Sequence, residues 1–113
     1  MPDLARGEVW SASFQVAGSV PAKKRACVIV QRDAANAASP ITIVCPVTDA
    51  RGRKTGLTNV PVAVGTAGLT RGSVIVCNEV RAIDRSRLEG RLGRLGPDEM
   101  AAVDQGLRAI LDL

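Results

Sequence analysis

The stretch RACVIVQ, residues 25–31, is a short apolar run rich in β-branched side chains. It is too short for a free-standing helix, and its composition fits a β-strand that is covered on both faces. Other short apolar runs, separated by turn residues, lie on either side of it, which is typical of a small β-rich domain. They predict further strands at residues 8–14, 41–47, 60–64 and 73–83, and one helical turn at 34–38.

The pattern changes to a helical period near the end of the chain. Pro97 follows Gly96, with acidic residues directly behind it, which is typical of the first turn of a helix. The apolar residues that follow form one stripe: Met100, Val103, Leu107, Ile110 and Leu111. We therefore expect an α+β domain, in which a strongly bent sheet or small barrel of about five strands packs against a C-terminal helix.

Length and composition exclude several classes of protein. A chain of 113 residues is expected to form a single domain, residues 1–113. Histidine is absent, and the aromatic residues are one Trp and one Phe. Histidine-based catalytic triads, zinc sites of the two-histidine type and recognition of bases by rows of stacked rings are therefore excluded.

The sequence predicts neither a membrane segment nor a metal site. No apolar run approaches the ~20 residues of a membrane span, and the N-terminal residues do not resemble a signal peptide. The three cysteines each lie in an apolar run and lack the spacing of metal ligands: Cys27, Cys45 and Cys77. We expect buried, reduced thiols, no metal or other cofactor, and a cytoplasmic protein.

The net charge of +4 and the pI near 9.5 allow two interpretations. One is charge that keeps the protein soluble, and the other is a surface that faces a polyanion, since Lys and Arg release counterions from phosphates. The basic residues occur in clusters: Lys23, Lys24 and Arg25; Arg51, Arg53 and Lys54; and Arg81, Arg85, Arg87, Arg91 and Arg94.

Arg25 begins one predicted strand, and Thr48 directly follows the next. If these strands pair antiparallel, the two residues meet at one edge of the sheet. An arginine fork beside a hydroxyl can bind a phosphate and stabilise the extra charge of a pentacoordinate phosphorane. The structural alternative is that Arg25 is a solvated strand flank and Thr48 a turn former. Asp49 either orients the arginine or begins the turn.

A second polar group lies near the end of the predicted strand at 73–83. Strand alternation places Glu79 and Arg81 on one face, where they are able to pair with each other. A structural ion pair and a role at a functional site both remain open for them.

Five blocks of the sequence resemble the MazF/PemK family of toxin endoribonucleases. They are RGEVW at 6–10, GSVPAKKRACVIVQRD at 18–33, VCPVT at 44–48, LTRGSVIVCNEVRAIDRSRL at 69–88 and VDQGLRAIL at 103–111. Asn36 also falls where family members carry an Asn. The resemblance spans nearly the whole chain, with the blocks in the same order and at matching spacing.

The resemblance implies an SH3-like small β-barrel of about five to seven short strands with a C-terminal helix, assembled as a homodimer. It implies cleavage of single-stranded RNA at short sequences without a metal, often leaving a 2′,3′-cyclic phosphate. The family's catalytic Arg and Thr fall on Arg25 and Thr48. An antitoxin with an acidic, disordered tail is the expected inhibitor. The residues expected to contact RNA are Lys23, Lys24, Asp49, Arg51, Arg53, Lys54, Glu79 and Arg81.

The sequence departs from the family pattern at three positions. Val20 stands where many members have Glu, Ala26 replaces the Pro after the catalytic Arg, and Glu79 replaces a Gln. These departures support an alternative, a catalytically weak relative that binds RNA or antitoxin as a regulator. A gyrase-poisoning relative with the same fold is a third alternative, although the C-terminus lacks the aromatic residue typical of that class.

Overall fold

The structure is a computed structural model and describes residues 3–14 and 23–113. In these residues the strands are β1 Glu8–Phe14, β2 Lys23–Ile29, β3 Ile41–Asp49, β4 Asn59–Val62, β5 Ser73–Val76, β6 Arg81–Asp84 and β7 Leu88–Arg94. The helices are α1 Asp33–Ala38 and α2 Pro97–Leu111. Short 3₁₀ turns lie at Thr66–Gly68, Cys77–Glu79 and Arg85–Arg87. The departure at Val20 lies outside the described residues.

The strands form one antiparallel sheet with the path β4-β5-β3-β2-β1-β7, and β6 pairs with β3 beside that path. β3 is the central strand, since its first half, 41–44, pairs with β6 and its last residues, 47–49, pair with β5. Pro46, which has no backbone N–H, lies where these two pairings change over. In the described part of the chain β4 and β7 do not pair, so the sheet is not closed. The predicted α+β class with a C-terminal helix is confirmed.

Side-chain alternation gives the sheet two apolar faces. We call them the helix face and the Trp10 face. The helix face buries Val9, Val28, Cys45, Val47 and Ile75 together with Val103 of α2. The Trp10 face buries Trp10, Ala12, Phe14, Cys27, Ile29 and Val44. Burying each large apolar side chain contributes about 1.5–3 kcal/mol, so these two clusters hold the strands in register.

The strands differ from the sequence predictions at two places. Residues 73–83 do not form one strand, because the 3₁₀ turn at Cys77–Glu79 separates β5 from β6. Strand β7, LEGRLGR, was not predicted, since its charges and glycines give little β signal. β7 forms because it pairs with β1, so its strand conformation depends on a distant partner.

Two glycines allow β7 to contact the turn at Thr66–Gly68. A Cβ on Gly93 would lie 2.5 Å from the carbonyl carbon of Ala67. A Cβ on Gly68, whose φ is +77°, would lie 2.1 Å from the carbonyl oxygen of Leu92. Since no Cβ tolerates such distances, glycine is required at both positions for this contact.

Helix α2 begins as the sequence predicts. Pro97 is its first residue, and Glu99 Oε1 accepts a hydrogen bond from Gly96 N at 2.8 Å. Gly106 is buried in the middle of the helix, where a Cβ would lie 2.7 Å from Cys77 Sγ. The helix therefore packs closely on the 3₁₀ turn that interrupts the predicted strand.

The first family block, residues 6–10, forms what we call the clasp, defined by Arg6 and Glu8 with their partners Asp104 and Arg91. Arg6 Nε donates to Val30 O at 2.8 Å, and its terminal nitrogen pairs with Asp104 of α2. The carboxylate of Glu8 is 6% exposed and accepts from Arg91 at 2.8 Å. These bonds join the N-terminal segment to the residue that follows β2, to β7 and to α2.

Glu8 is the buried charge of the clasp. Burial disfavours its carboxylate, but hydrogen bonds from Arg91, the Ala5 N–H and Trp10 Nε1 outweigh that effect and hold the pKa of Glu8 below its usual value. A buried carboxylate with this many donors is a structural element of the fold.

No helix in residues 3–14 and 23–113 is long and apolar enough to cross a membrane.

Candidate active site

Arg25 and Thr48 occupy neighbouring strands at one end of the sheet. The antiparallel ladder of β2 and β3 pairs Ile29 with Val44 and Cys27 with Pro46. Continuing this register by two residues places Arg25 opposite Thr48, so their side chains lie on the same face. Both residues are half-buried. The antiparallel register therefore places the two residues at the same edge of the sheet, and their joint role at a site stays a prediction.

The Trp10 face carries this pair. Arg25 lies opposite Ala12 in the pairing of β1 with β2, and Ala12 shares its face with Phe14. The guanidinium of Arg81 lies over the Phe14 ring, 5.3 Å from its centroid. Such a contact orients a planar guanidinium. Arg25, Thr48 and Arg81 thus belong to one face.

Lys23 and Lys24 lie on opposite faces of β2. Lys23 is opposite Phe14 and shares the face of Arg25. Lys24 points the other way, and its Nζ is 3.3 Å from the carboxylate of Glu89 on β7. The sequence alone could not show that the two lysines point in opposite directions, because this depends on where the strand begins and on which of its faces is buried.

Asp49 follows Thr48 and binds two arginines. Its Oδ1 accepts from Arg51 N at 2.9 Å and from Arg51 Nε at 3.1 Å, and its Oδ2 lies 3.5 Å from a terminal nitrogen of Arg71. The hydrogen bonds from Arg51 are the main reason that the pKa of Asp49 lies below its usual value. Two roles were expected for Asp49, orienting Arg25 or beginning a turn. The structure places it at the start of a turn, where it binds Arg51 and Arg71.

The remaining residues that the sequence predicts to contact RNA lie in separate loops and turns. Arg53 and Lys54 are exposed on the loop between β3 and β4. Glu79 is exposed in the 3₁₀ turn Cys77–Glu79, outside strand β6. Strand alternation, on which the expected pairing of Glu79 with Arg81 rested, does not apply to them, because a turn and not a continuous strand joins them.

The basic residues at 81–94 do not form one surface. Arg85 is 8% exposed and donates to the carbonyl oxygen of Asn36. Arg91 belongs to the clasp. The sequence cluster therefore includes the buried Arg85, the exposed Arg91 paired with Glu8, and the exposed Arg81.

All three cysteines are buried and free, as predicted. Burial raises the pKa of the Cys27 thiol to about 12, so a thiolate nucleophile is disfavoured there. Cys45 and Cys77 lie next to each other on the helix face, and the hydrogen bond between their thiols, together with burial, raises the pKa of Cys45.

Sequence reasoning missed Phe14 and Arg71 as parts of the site. Phe14 was assigned only to a strand, and Arg71 is a single charge between turn residues. Arg71 is recognised only from the register of β3 and β5. This register pairs Asp49 with Ser73, so that Arg71, two residues before Ser73, lies next to Asp49. The fold and these residues at the ends of β2 and β3 together define a small, basic α+β domain whose site suits a phosphate-bearing ligand.

Comparison with known proteins agrees with this description. Residues 5–111 match the profile of the family described as PemK-like, MazF-like toxin of type II toxin-antitoxin system. The chain is also 33% identical over 111 residues to Endoribonuclease MazF of Staphylococcus epidermidis, a match that covers 97% of this chain and 92% of that protein. The chain therefore belongs to the PemK-like, MazF-like toxin family, as the sequence resemblance indicated.

Solved structures share the fold. A MazE-MazF crystal structure (Form-II) from Deinococcus radiodurans aligns with a TM-score of 0.81 and 24% identity, covering 100% of this chain and 99% of that one. An endoribonuclease in complex with its cognate antitoxin, from a mycobacterial species, aligns with a TM-score of 0.78 and 21% identity, covering 97% and 96%. At these identities the match is evidence for the fold alone.

Proposed function

We propose that this protein is an endoribonuclease toxin that cleaves single-stranded RNA, including mRNA, at short sequences and without a metal ion. The enzyme class rests on the family and on the staphylococcal relative, which is named an endoribonuclease. The observation that supports the site is the register of β2 and β3, which aligns Arg25 with Thr48 on one face.

The proposed mechanism uses the 2′-hydroxyl of the substrate as the nucleophile. The 2′-hydroxyl gives up its proton as its oxygen attacks the adjacent phosphorus. The bond from phosphorus to the 5′-oxygen breaks, and the leaving 5′-oxygen gains a proton, so that the reaction neither consumes nor releases protons overall. The products are a 2′,3′-cyclic phosphate and a 5′-hydroxyl. Arg25 stabilises the phosphorane or passes a proton, and Thr48 holds a phosphate oxygen. Because the substrate supplies the nucleophile, the absence of histidine is compatible with catalysis.

The charged side chains around this pair hold the RNA backbone. Arg81, oriented by the Phe14 ring, and Lys23 share the face of Arg25. Arg51, Arg53 and Lys54 extend the positive surface beyond the end of β3. Lys24 and Glu79 lie at the margin of this surface and contribute least to RNA binding. Lys24 is paired with Glu89, and the carboxylate of Glu79 repels phosphate.

The protein acts as a homodimer that an antitoxin with an acidic, disordered tail inhibits in the cytoplasm. Exposed Ile41 and Ile43 lie on one face of β3 and supply apolar surface for contact between copies. Two structural neighbours are toxins solved with an antitoxin. Light scattering of the purified protein measures the dimer, and a mass of one chain would contradict it.

The first experiment incubates the purified protein with a long single-stranded RNA in EDTA and maps the new 5′ ends. Discrete cuts at one short motif, with 5′-hydroxyl ends, are the expected result. Cleavage that EDTA abolishes would overturn the metal-independent mechanism. Intact RNA from a folded sample free of antitoxin would favour the alternative, a relative that binds RNA or antitoxin without cleaving.

A further inference from the structure

A shallow depression of about 450 Å³ lies beside the proposed catalytic Thr48. It is lined by Asp49, Ala50, Arg51, Arg71 and Gly72. We call the three charged residues, Asp49, Arg51 and Arg71, the rim cluster. The cluster joins two chain segments that meet at the end of the sheet, because Ala50 N donates to Gly72 O at 3.0 Å.

The rim cluster carries a net positive charge that faces solvent. Arg51 and Arg71 expose 83% and 73% of their side chains, so one carboxylate leaves most of both guanidinium groups accessible. Arg51 and Arg71 each use one nitrogen toward Asp49, which leaves further N–H donors in each fork. Two partly held guanidinium groups suit an oxyanion that accepts several hydrogen bonds.

The position of the cluster indicates which anion it meets. Asp49 directly follows Thr48, and alternation places their side chains on opposite sides of the strand end. An RNA strand held at Thr48 and crossing this strand end passes over the depression. The next backbone phosphate of such a strand is the anion that the two arginines would meet.

We infer that Arg51 and Arg71, oriented by Asp49, form a subsite for the RNA phosphate adjacent to the cleaved one. The inference rests on the proposed function, since it needs RNA bound at Thr48. Arg51 and Arg71 bind the phosphate, and Asp49 is a positioning residue that fixes both forks. The subsite sets the register in which the RNA strand lies across the catalytic pair.

The test measures binding of a 2′-O-methyl RNA, which lacks the attacking hydroxyl and is not cleaved by this mechanism. Its sequence is one that the wild type cleaves, or a mixed sequence if it cleaves none. The expected result for Arg71→Gln is weaker binding, by several-fold, and a salt dependence whose slope is smaller by about 0.7, the value for one lost contact to single-stranded nucleic acid.

The matched control is Arg32→Gln, which removes the same charge from an exposed residue beyond the opposite end of β2. It is expected to leave affinity and slope unchanged. An equal effect of the two variants would overturn the subsite, because general attraction by net charge would then explain the loss.

Asp49→Asn separates positioning from charge. The variant raises the net charge by one, so electrostatics alone predicts tighter RNA binding. The positioning role predicts the reverse, several-fold weaker binding with a smaller salt slope, since the asparagine binds the two guanidinium groups less strongly. Tighter binding by this variant would overturn the role of Asp49.

Single methylphosphonate linkages locate the phosphate. Each linkage of the RNA is made neutral in turn, and one linkage next to the cleaved bond is expected to weaken binding by wild type but not by Arg71→Gln. Equal effects of that linkage on both proteins would overturn the contact.

The same samples separate the two proposals. If wild type cleaves RNA but Arg71→Gln keeps its affinity and slope, the subsite fails and the proposed function stands. If wild type neither cleaves nor binds RNA, both fail. If Arg71→Gln loses affinity for an acidic peptide of repeated glutamates while its RNA binding is unchanged, the cluster binds carboxylates and the RNA subsite is overturned.

Discussion

The clasp and the rim cluster use the same residue types in opposite ways. In the clasp, the Glu8 carboxylate is 6% exposed and is held by Arg91, a backbone N–H and the indole of Trp10. In the rim cluster, the Asp49 carboxylate is 31% exposed and binds two arginines that face solvent. The first arrangement satisfies a buried charge, and the second leaves positive charge accessible.

The difference shows that an Arg–carboxylate pair has a role set by its burial. Removing a partner from a buried pair leaves groups without hydrogen bonds and costs stability. Removing a partner from an exposed pair costs little, since water replaces it. We therefore expect stability to depend on the clasp and RNA recognition to depend on the rim.

The largest effect is expected at the catalytic pair beside the rim. Arg25→Ala should lower the rate of RNA cleavage by about 10²–10³-fold, as for the loss of one donor to a transition-state oxyanion. Single-turnover cleavage of a mapped motif measures it, and thermal melting checks that the fold is retained. A variant that cleaves as fast as wild type would remove Arg25 from the mechanism.

The next effect tests the clasp. Glu8→Ala leaves buried donors unsatisfied and should lower the free energy of unfolding by about 2–4 kcal/mol, measured by urea denaturation. Glu89→Ala is the control, because it removes an exposed carboxylate paired with Lys24. It should cost less than about 1 kcal/mol. Equal losses in the two variants would contradict the contrast between buried and exposed pairs.

A smaller effect concerns pH. The pKa of Glu8 is lower in the folded protein than its ordinary value of 4.5, so the unfolded chain binds its proton more readily. The contribution of Glu8 to the free energy of unfolding is therefore fully present above pH 4.5, and it is lost as the pH falls through the pKa of Glu8 in the folded protein. Urea denaturation at several pH values between 7 and 3 should show that Glu8→Gln loses less stability on acidification than wild type. If stability falls equally with pH in both proteins, Glu8 is not a cause of the acid sensitivity.

The smallest effect is expected on the stability of the protein when an exposed arginine of the rim cluster is replaced. Arg71→Gln removes one exposed partner of Asp49 and should leave the melting temperature nearly unchanged. A large drop in melting temperature would show that the rim cluster holds the fold together, and the contrast with the clasp would then disappear.

Much of the fold was predictable from the sequence because its signals are local. The apolar run at 25–31 indicated β2, and the stripe from Met100 to Leu111 indicated α2. The same holds for β1, whose bounds Glu8–Phe14 match the prediction. Each of these elements has a strong local signal, an apolar run or a periodic stripe, so few distant contacts are needed to recognise it.

Other elements depend on distant contacts. Strand β7 has weak β propensity and is held by its pairing with β1. The turn at Cys77–Glu79 interrupts an apolar run that reads as one strand, and α2 packs directly on that turn through Gly106. Tertiary packing overrides local propensity at both places.

The sequence by itself determined the family, the α+β class, and Arg25 and Thr48 as the pair to consider. Only the tertiary structure decided that the Glu8 carboxylate of the clasp is buried and that the two arginines of the rim cluster are exposed. It also brought Arg71 to Asp49 and Arg81 to Phe14. The physical reason is that burial and neighbourhood depend on strand register and on chain segments far apart in sequence, whereas family motifs and periodicity are properties of neighbouring residues.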